Sequence, residues 1–215
     1  MEKVDLWKKY AVDFPVESFL GQVAIDLGFD ENAYRQLLID LKRRKEHFEF
    51  SPLFGNTISF DNHFGEKKTV ITEKTQSETI DFKDLVRMLS IIDRVFMPIL
   101  PLGTVVKLNE EQILEDDLKY LESIRSDLTV QIIGQKIMSG DDFYADYISS
   151  IWPVGLNLVS EPIIVNNVMI EEVMQKGYSN DFSQEYQDAL REKILREGYH
   201  PISFEWLLEV LMSEN

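Results

Sequence analysis

The stretch LPLGTVVKL (100–108), with DLTVQIIGQKIM (127–138) and FYADYISSIW (143–152), decides the fold class. These segments are rich in β-branched and aromatic residues and are separated by glycine, proline and acidic turn residues, a pattern typical of short strands. IIV (163–165) and IEEVMQKGY (170–178) continue it. Together the five segments predict a small curved antiparallel β-sheet or a barrel.

A helical segment separates the first two predicted strands. Asn109 is suited to cap it, and Gln112, three residues later, to reach back to the cap. Apolar residues then recur at helical spacing: Ile113, Leu114, Leu118 and Leu121. The spacing predicts a helix of about 15 residues inserted into the sheet.

Residues 1–97 have a different pattern. Phe14 to Leu27 predicts one helix, and Asp30 is a suitable cap for the next. Residues 46–80 alternate apolar and polar positions between turn residues, which predicts two or three short strands, with a hairpin. From Asp81 the helical period returns, and Pro98 ends it because proline has no N–H to donate.

The C-terminal part is predicted to be helical. A helix is expected to start at Asp181 or Ser183 and to end before Gly198, and Ser203 opens a last short helix. The first of these is expected to turn four apolar residues inward: Tyr186, Leu190, Ile194 and Leu195. The fold class is therefore α+β. We expect a helical region with a β-hairpin at 1–97 and a small β-sheet domain with an inserted helix and C-terminal helices at 98–215, or both in one compact domain.

Charge and composition exclude several classes of function. The chain has 215 residues, no cysteine, and 22 basic against 38 acidic side chains, a formal charge of −16. Phosphate backbones are repelled by such a surface, so we expect no nucleic-acid partner. Thiol catalysis, disulfides and thiolate metal sites are excluded. A basic protein partner is compatible with this charge.

Motifs for catalysis or metal binding do not emerge. The three histidines, His47, His63 and His200, stand in no metal-binding frame. Asp116–Asp117 and Asp141–Asp142 do not have the ligand spacing of a calcium loop. The glycines form neither a dinucleotide-binding nor a phosphate-binding motif. We therefore predict a protein that is not an enzyme, without catalytic residues, cofactor or metal.

Targeting and membrane segments are not predicted either. Charges at Asp5, Lys8, Lys9 and Asp13 interrupt the N-terminus where a signal peptide would need an apolar run. The longest apolar stretch, 95–106, carries Pro98, Pro101 and Gly103, so we expect no stable membrane insertion. These features predict a cytoplasmic protein.

Four segments in order carry a resemblance: LPLGTVVKL, VQIIGQKI, DYISSIWPVGL and IEEVMQKGYSND. Their succession resembles a small Gram-positive family called domain of unknown function 4176, over residues of about 100–178. The family pattern matches at Leu100, Pro101, Gly103, Thr104, Val105, Val106, Ile133, Gly134, Asp146, Tyr147, Pro153, Gly155, Val173, Gly177 and Tyr178. The inserted segment 109–127 and the long N-terminal region depart from the pattern.

The resemblance implies a cellular role rather than a chemistry. Genes of this family often stand in Firmicutes beside type VII secretion clusters and their LXG-type toxins. We therefore expect a protein-binding accessory factor or chaperone that holds such a toxin or its small helical partners. The alternative is an immunity protein that binds and neutralises a toxin domain. The matched residues are expected to be turn and sheet positions.

Two regions are candidates for a functional surface. The acidic segment EEQILEDD lies beside an apolar stripe and could contact a partner through Glu110, Glu111, Glu115, Asp116 and Asp117. A third hypothesis is an enzyme or ligand-binding domain that uses the mouth of a barrel, where Asp146, Tyr147 and Tyr178 would converge in a deep pocket. A filled barrel would argue against it.

Overall fold

The computed structural model describes residues 2–53, 55–124, 126–157 and 160–213. They form an α+β protein with two separate sheets, neither of which closes into a barrel. The α+β class is thus confirmed, and the barrel alternative is wrong. Two compact units divide the chain. The first comprises 1–97, 194–197 and 203–215, and the second comprises 98–193 and 198–202.

The first unit begins with three helices and a four-stranded sheet. The helices are α1 (Lys3–Tyr10), α2 (Phe19–Phe29) and α3 (Glu31–Lys42). The antiparallel sheet follows the chain order through β1 (His47–Phe50), β2 (Ile58–His63), β3 (Lys68–Glu73) and β4 (Gln76–Asp81). Four strands thus stand where two or three were predicted, because the mostly polar β4 is exposed at the sheet edge and lacks an apolar alternation.

Helix α4 (Phe82–Phe96) forms the centre of the first unit, with twelve of its fifteen residues buried. It contacts α1, α2, β3 and β4. The Tyr34 hydroxyl on α3 donates to the Leu89 carbonyl at 2.9 Å. Asp81 caps the helix by accepting from the Asp84 N–H, so the predicted return of the helical period at Asp81 is confirmed.

Two predicted helix starts can be compared with the structure. Asp30 caps α3, and its carboxylate accepts from the Ala33 N–H at 2.9 Å, as expected. The helix predicted from Phe14 begins instead at Phe19, where Ser18 accepts from the Gly21 N–H at 3.0 Å. The helix therefore begins after the polar residue whose side chain accepts from an unpaired backbone N–H of the first turn, and not at the first apolar residue.

Helix α7 (Ser203–Met212) also packs in the first unit, against α3 and α4. Arg44 donates to the Val210 carbonyl at 2.9 Å. The sequence pattern alone places this helix in the sheet region at 98–215. A ten-residue amphipathic helix shows which face is apolar but does not identify the surface that covers it.

The second unit contains a six-stranded sheet. Along its main path the order is β10 (His200–Pro201), β7 (Phe143–Ile151), β6 (Thr129–Met138), β5 (Val105–Leu108) and β9 (Ile170–Gln175). The sixth strand, β8 (Ile163–Val165), pairs with β7. All pairings are antiparallel except that of β10 with β7. Strand β7 is therefore bonded along both edges, and none of its side chains is fully exposed.

Two helical segments complete the second unit, and the later one continues into the first unit from Ile194. The inserted segment contains a 3-10 turn at Glu110–Gln112 and then α5 (Glu115–Ser123). The predicted single helix of about 15 residues is wrong, because Ile113 and Leu114 adopt extended backbone and break it. Helix α6 (Asp181–Glu197) begins where expected, and Gly198 follows it with φ +76°. None of the described helices is both long enough and apolar enough to cross a bilayer.

A pH-dependent contact joins β1 and β2 in the first unit. His47 Nδ1 lies 2.7 Å from Asp61 Oδ1, and this hydrogen bond raises the pKa of His47 above its ordinary value. Because the folded-state pKa is raised, the stabilisation is complete below the unfolded-state pKa and is lost as pH rises through the folded-state pKa.

We expect an Asp61→Asn substitution to lower the pKa of His47, since it removes the charge of the bonded carboxylate. NMR titration of the imidazole in both forms measures this change. The exposed Asp84→Asn substitution is the control and should leave the titration unaltered. An identical His47 pKa in the parent and Asp61→Asn proteins would contradict the assignment.

Candidate functional site

The start of β5 is a tight corner built from the family-pattern residues. Thr104 Oγ1 donates to the Pro101 carbonyl at 2.6 Å and accepts from the Gly177 N–H at 3.0 Å. Gly103 adopts φ +81°, a left-handed conformation that favours glycine, and its N–H donates to the Ile132 carbonyl at 2.8 Å. The corner therefore ties the chain before β5 to β6 and to the segment after β9.

Two glycines of the pattern permit close approach of chains. A Cβ on Gly177 would stand 2.2 Å from the Leu102 carbonyl oxygen, and one on Gly134 would stand 2.5 Å from Ile148 Cγ2. Gly134 also follows a bulge in the pairing of β6 with β7. At both positions a side chain would meet another part of the chain.

A buried ion pair links β6 to β7. Lys136 Nζ lies 2.6 Å from Asp146 Oδ1, and the two side chains are only 3% and 1% exposed. The other carboxylate oxygen of Asp146 accepts from the Asn167 N–H at 2.9 Å, and the Asp146 N–H donates to Asn166 Oδ1 at 3.2 Å. The pair therefore also holds the chain that follows β8.

Tyr147 connects this network to the entry of the second unit. Its hydroxyl accepts from the Leu100 N–H at 3.1 Å and lies 3.1 Å from both the Pro98 carbonyl and Asn167 Oδ1. One of these two oxygens receives the hydroxyl proton. Asp146 and Tyr147 together fix three separate segments in place, and they do so in the interior.

The convergence of Asp146, Tyr147 and Tyr178 is not formed. Asp146 and Tyr147 are buried, whereas Tyr178 is 83% exposed. The hypothesis of a ligand at a barrel mouth thus has neither the barrel nor the cluster of three residues. Among the described residues, no group of three or more His, Asp or Glu side chains is placed to hold a metal ion.

The turn after β7 carries the remaining pattern residues. Pro153 follows Trp152 through a cis peptide bond, and the Gly155 N–H donates to the Ile151 carbonyl at 2.7 Å, with φ +69° at Gly155. The Gly155 carbonyl accepts from Ser160 Oγ at 2.6 Å. Three apolar side chains of this turn are about half exposed: Trp152, Val154 and Leu156.

The acidic segment lies at the surface, as a candidate partner contact must. Glu110, Glu111, Glu115 and Asp116 are exposed, and Asp117 is partly buried. Burial, and then the charge of Asp116, raise the pKa of Asp117. Lys119 Nζ pairs with Glu115 Oε1 at 2.6 Å. The apolar stripe predicted beside these acids is incomplete, because Leu114 is 41% exposed and only Leu121 is fully buried.

Sequence reasoning missed a surface on the first half of α6. Phe182 is 75% exposed and Tyr186 is 58% exposed, while Gln187 is buried. The prediction that Tyr186 points inward is therefore wrong, although Ile194 and Leu195 are buried as expected. Leaving a large apolar side chain in water forgoes about 1.5–3 kcal/mol of burial free energy. We refer to Phe182 and Tyr186 as the aromatic ridge.

A sequence signal for the aromatic ridge does exist. Phe182 and Tyr186 follow Asp181 and Glu185, so that acids and aromatics repeat together at a spacing of four. On a helix this spacing makes two adjacent stripes. The aromatic stripe lies between the acidic stripe and the buried face. A search for a single apolar face therefore assigns the aromatic stripe to the interior.

Further apolar side chains are exposed at the edge strand β9. Val173 and Met174 are 40% and 56% exposed, and Tyr178 follows shortly after them. The next exposed aromatic residue along the chain is Phe182 of the aromatic ridge. Residues 173–186 thus expose five large apolar side chains.

Residues 121–186 match the family model described as Domain of unknown function (DUF4176). The match confirms the resemblance and spans strands β6 to β9 and the start of α6. It includes Gly134, Asp146, Tyr147, Pro153, Gly155, Gly177 and Tyr178, whereas Pro101 and Gly103 precede it. It also includes both residues of the aromatic ridge. Comparison with curated proteins and with solved structures found no match.

Proposed function

We propose that this protein is a non-enzymatic accessory factor or chaperone of type VII secretion, which binds an LXG-type toxin or its small helical partners in the cytoplasm before export. The observation that carries the proposal is the exposed apolar segment 173–186 within the region that matches the family model. Interfaces concentrate binding energy in exposed aromatic anchors of this kind.

The interior of the second unit agrees with a binding role. On its central strands Lys136 and Asp146 pair with each other, and Asp146 and Tyr147 each accept from a backbone N–H. These contacts therefore stabilise the sheet that carries the exposed segment 173–186. A preformed scaffold of this kind lowers the conformational cost of binding a partner.

Electrostatics support a basic or weakly charged partner. Residues 98–193 contain seventeen acidic and seven basic side chains, a formal charge of −10. An acidic surface accelerates encounter with a positively charged partner and disfavours acidic competitors. The same charge suits an immunity protein that covers a basic toxin domain. An experiment must therefore distinguish the chaperone role from the immunity role.

Co-expression with a toxin from the same gene neighbourhood tests the proposal. We expect the tagged protein to co-purify with the full-length toxin, and with an isolated toxin fragment in a pull-down. A complex with the N-terminal secretion domain supports an export chaperone. A complex restricted to the C-terminal toxic domain, together with protection of cells from the toxin, would instead establish the immunity role. Absence of any complex with toxin or helical partners would overturn both.

A further inference from the structure

We propose that the aromatic ridge is the binding site for a basic amphipathic helix of the partner. The inference rests on the proposed function, because it names the kind of segment that a protein partner presents. It depends on three observations about α6: the exposure of Phe182 and Tyr186, the acids beside them, and the burial of another face.

The first observation is the geometry of the exposed pair. Phe182 and Tyr186 are one turn apart on α6, which separates them by about 6 Å along the helix axis. An apolar residue of a second helix fits between side chains at this spacing. A helix repeats its apolar residues at three and four positions, so that successive turns meet both aromatic rings.

The second observation is an acidic stripe along the same helix. Asp181, Glu185 and Asp188 are exposed and recur at spacings of four and three, and Glu192 continues the spacing. They therefore share one face of α6, adjacent to the aromatic ridge. A partner helix lying on the ridge would place the flank of its apolar stripe against these carboxylates. Lysine or arginine at those flanking positions would complement them.

The third observation is that α6 is already anchored on another face. Gln187 is 8% exposed. The start of the helix is held by Asn180 and Ser183, where the Asn180 side chain accepts from the Ser183 N–H at 2.9 Å and Ser183 Oγ accepts from the Asn180 N–H at 2.8 Å. The aromatic ridge is thus held in place before a partner arrives.

Charge argues against a second copy of this chain as the occupant. Two α6 helices packed through their aromatic ridges would bring two acidic stripes together at the rims of one interface. Each chain also carries a formal charge of −16. Like charges facing one another disfavour such pairing, whereas a basic helix removes the repulsion.

The test uses the full-length protein and a synthetic peptide of about 18 residues, with leucine at one face and lysine at its flanks. Binding is followed by fluorescence anisotropy of the labelled peptide. The control peptide has the same composition in an order that destroys the amphipathic pattern. We expect the ordered peptide to bind at least about tenfold more tightly than the control.

Substitutions in α6 identify the side chains that bind the peptide. The Phe182→Gln/Tyr186→Gln double substitution should raise the Kd of the ordered peptide about tenfold or more. Leu53→Gln is the matched control, since Leu53 is 90% exposed in the first unit, and it should leave the Kd unchanged. Asp181→Asn/Glu185→Gln/Asp188→Asn should weaken binding and flatten its dependence on salt. Circular dichroism confirms that each variant is folded.

Several results would overturn the inference. Equal Kd values for the parent and the Phe182→Gln/Tyr186→Gln protein would do so, as would equal binding of the two peptides. Light scattering that shows a dimer dissociated by the same double substitution would assign the aromatic ridge to self-association.

The toxin pull-down separates this inference from the proposed function. If the Phe182→Gln/Tyr186→Gln variant retains the toxin as fully as the parent, the partner binds elsewhere and only the inference fails. If the parent protein retains no toxin, the proposed function fails. The peptide measurement then still decides what the aromatic ridge binds.

Discussion

An Asp146→Ala substitution is expected to lower the free energy of unfolding by about 3–5 kcal/mol. The reason is the position of Lys136, which is 3% exposed and would keep a buried ammonium group without its carboxylate at 2.6 Å. The substitution also removes the acceptor of the Asn167 N–H. Chemical denaturation followed by circular dichroism measures the change as a lower midpoint at an unchanged slope.

The matched control is Asp141→Ala, which removes an exposed acid from the turn between β6 and β7. It should shift the free energy of unfolding by less than about 0.5 kcal/mol. A Lys136→Met/Asp146→Leu double substitution replaces both charges with apolar groups and should recover the part of the loss that comes from the unpaired ammonium group, but not the part that comes from the Asn167 N–H. If Asp146→Ala is as stable as the control, the ion pair does not hold β6 to β7.

The elements with a strong local signal were predictable from the sequence. The apolar stripe of α4 reflects a helix that is buried over most of its surface, and the Asp30 cap reflects a hydrogen bond available within four residues. The strands β5 to β9 likewise carry β-branched residues between turn residues. In each case the pattern that indicates the element lies within its own sequence.

The elements that were mispredicted depend on distant partners. Tyr186 has helical spacing with Leu190 and Ile194, yet it is exposed, because the covered face of α6 at this point is that of Gln187. The apolar pattern of α7 does not reveal that α3 and α4 cover it. Closure of the sheet was also undecidable, since the number of strands does not specify whether the two edge strands pair.

The candidate site was predictable only in part. The family pattern identified Asp146, Tyr147 and Gly177, whose contacts are structural, whereas the exposed aromatic ridge had no motif. Exposure is a property of the folded chain, and periodicity alone assigns an aromatic residue on a helix to the interior. Acidic residues beside aromatics at the same spacing mark such a surface, and they are a signal that sequence reasoning can use.

The second large effect is expected for Gly177→Ala, which should lower the free energy of unfolding by about 3 kcal/mol. The added Cβ would stand 2.2 Å from the Leu102 carbonyl oxygen and 2.8 Å from the Thr104 nitrogen. Both atoms belong to the backbone of the corner before β5 and cannot rotate away as a side chain would. To relieve the overlap the chain must move, which breaks the hydrogen bond from the Gly177 N–H to Thr104 Oγ1.

Gly65→Ala is the control for this experiment, because no atom lies within 4 Å of the added Cβ and the position has no left-handed backbone. It should leave stability unchanged or raise it slightly, since alanine restricts the unfolded chain. Hydrogen exchange adds a local measurement, in which Gly177→Ala should reduce the protection of β5 and β9 more than that of β1 to β4. Equal denaturation midpoints for Gly177→Ala and Gly65→Ala would show that the corner tolerates a side chain and does not hold β9 in place.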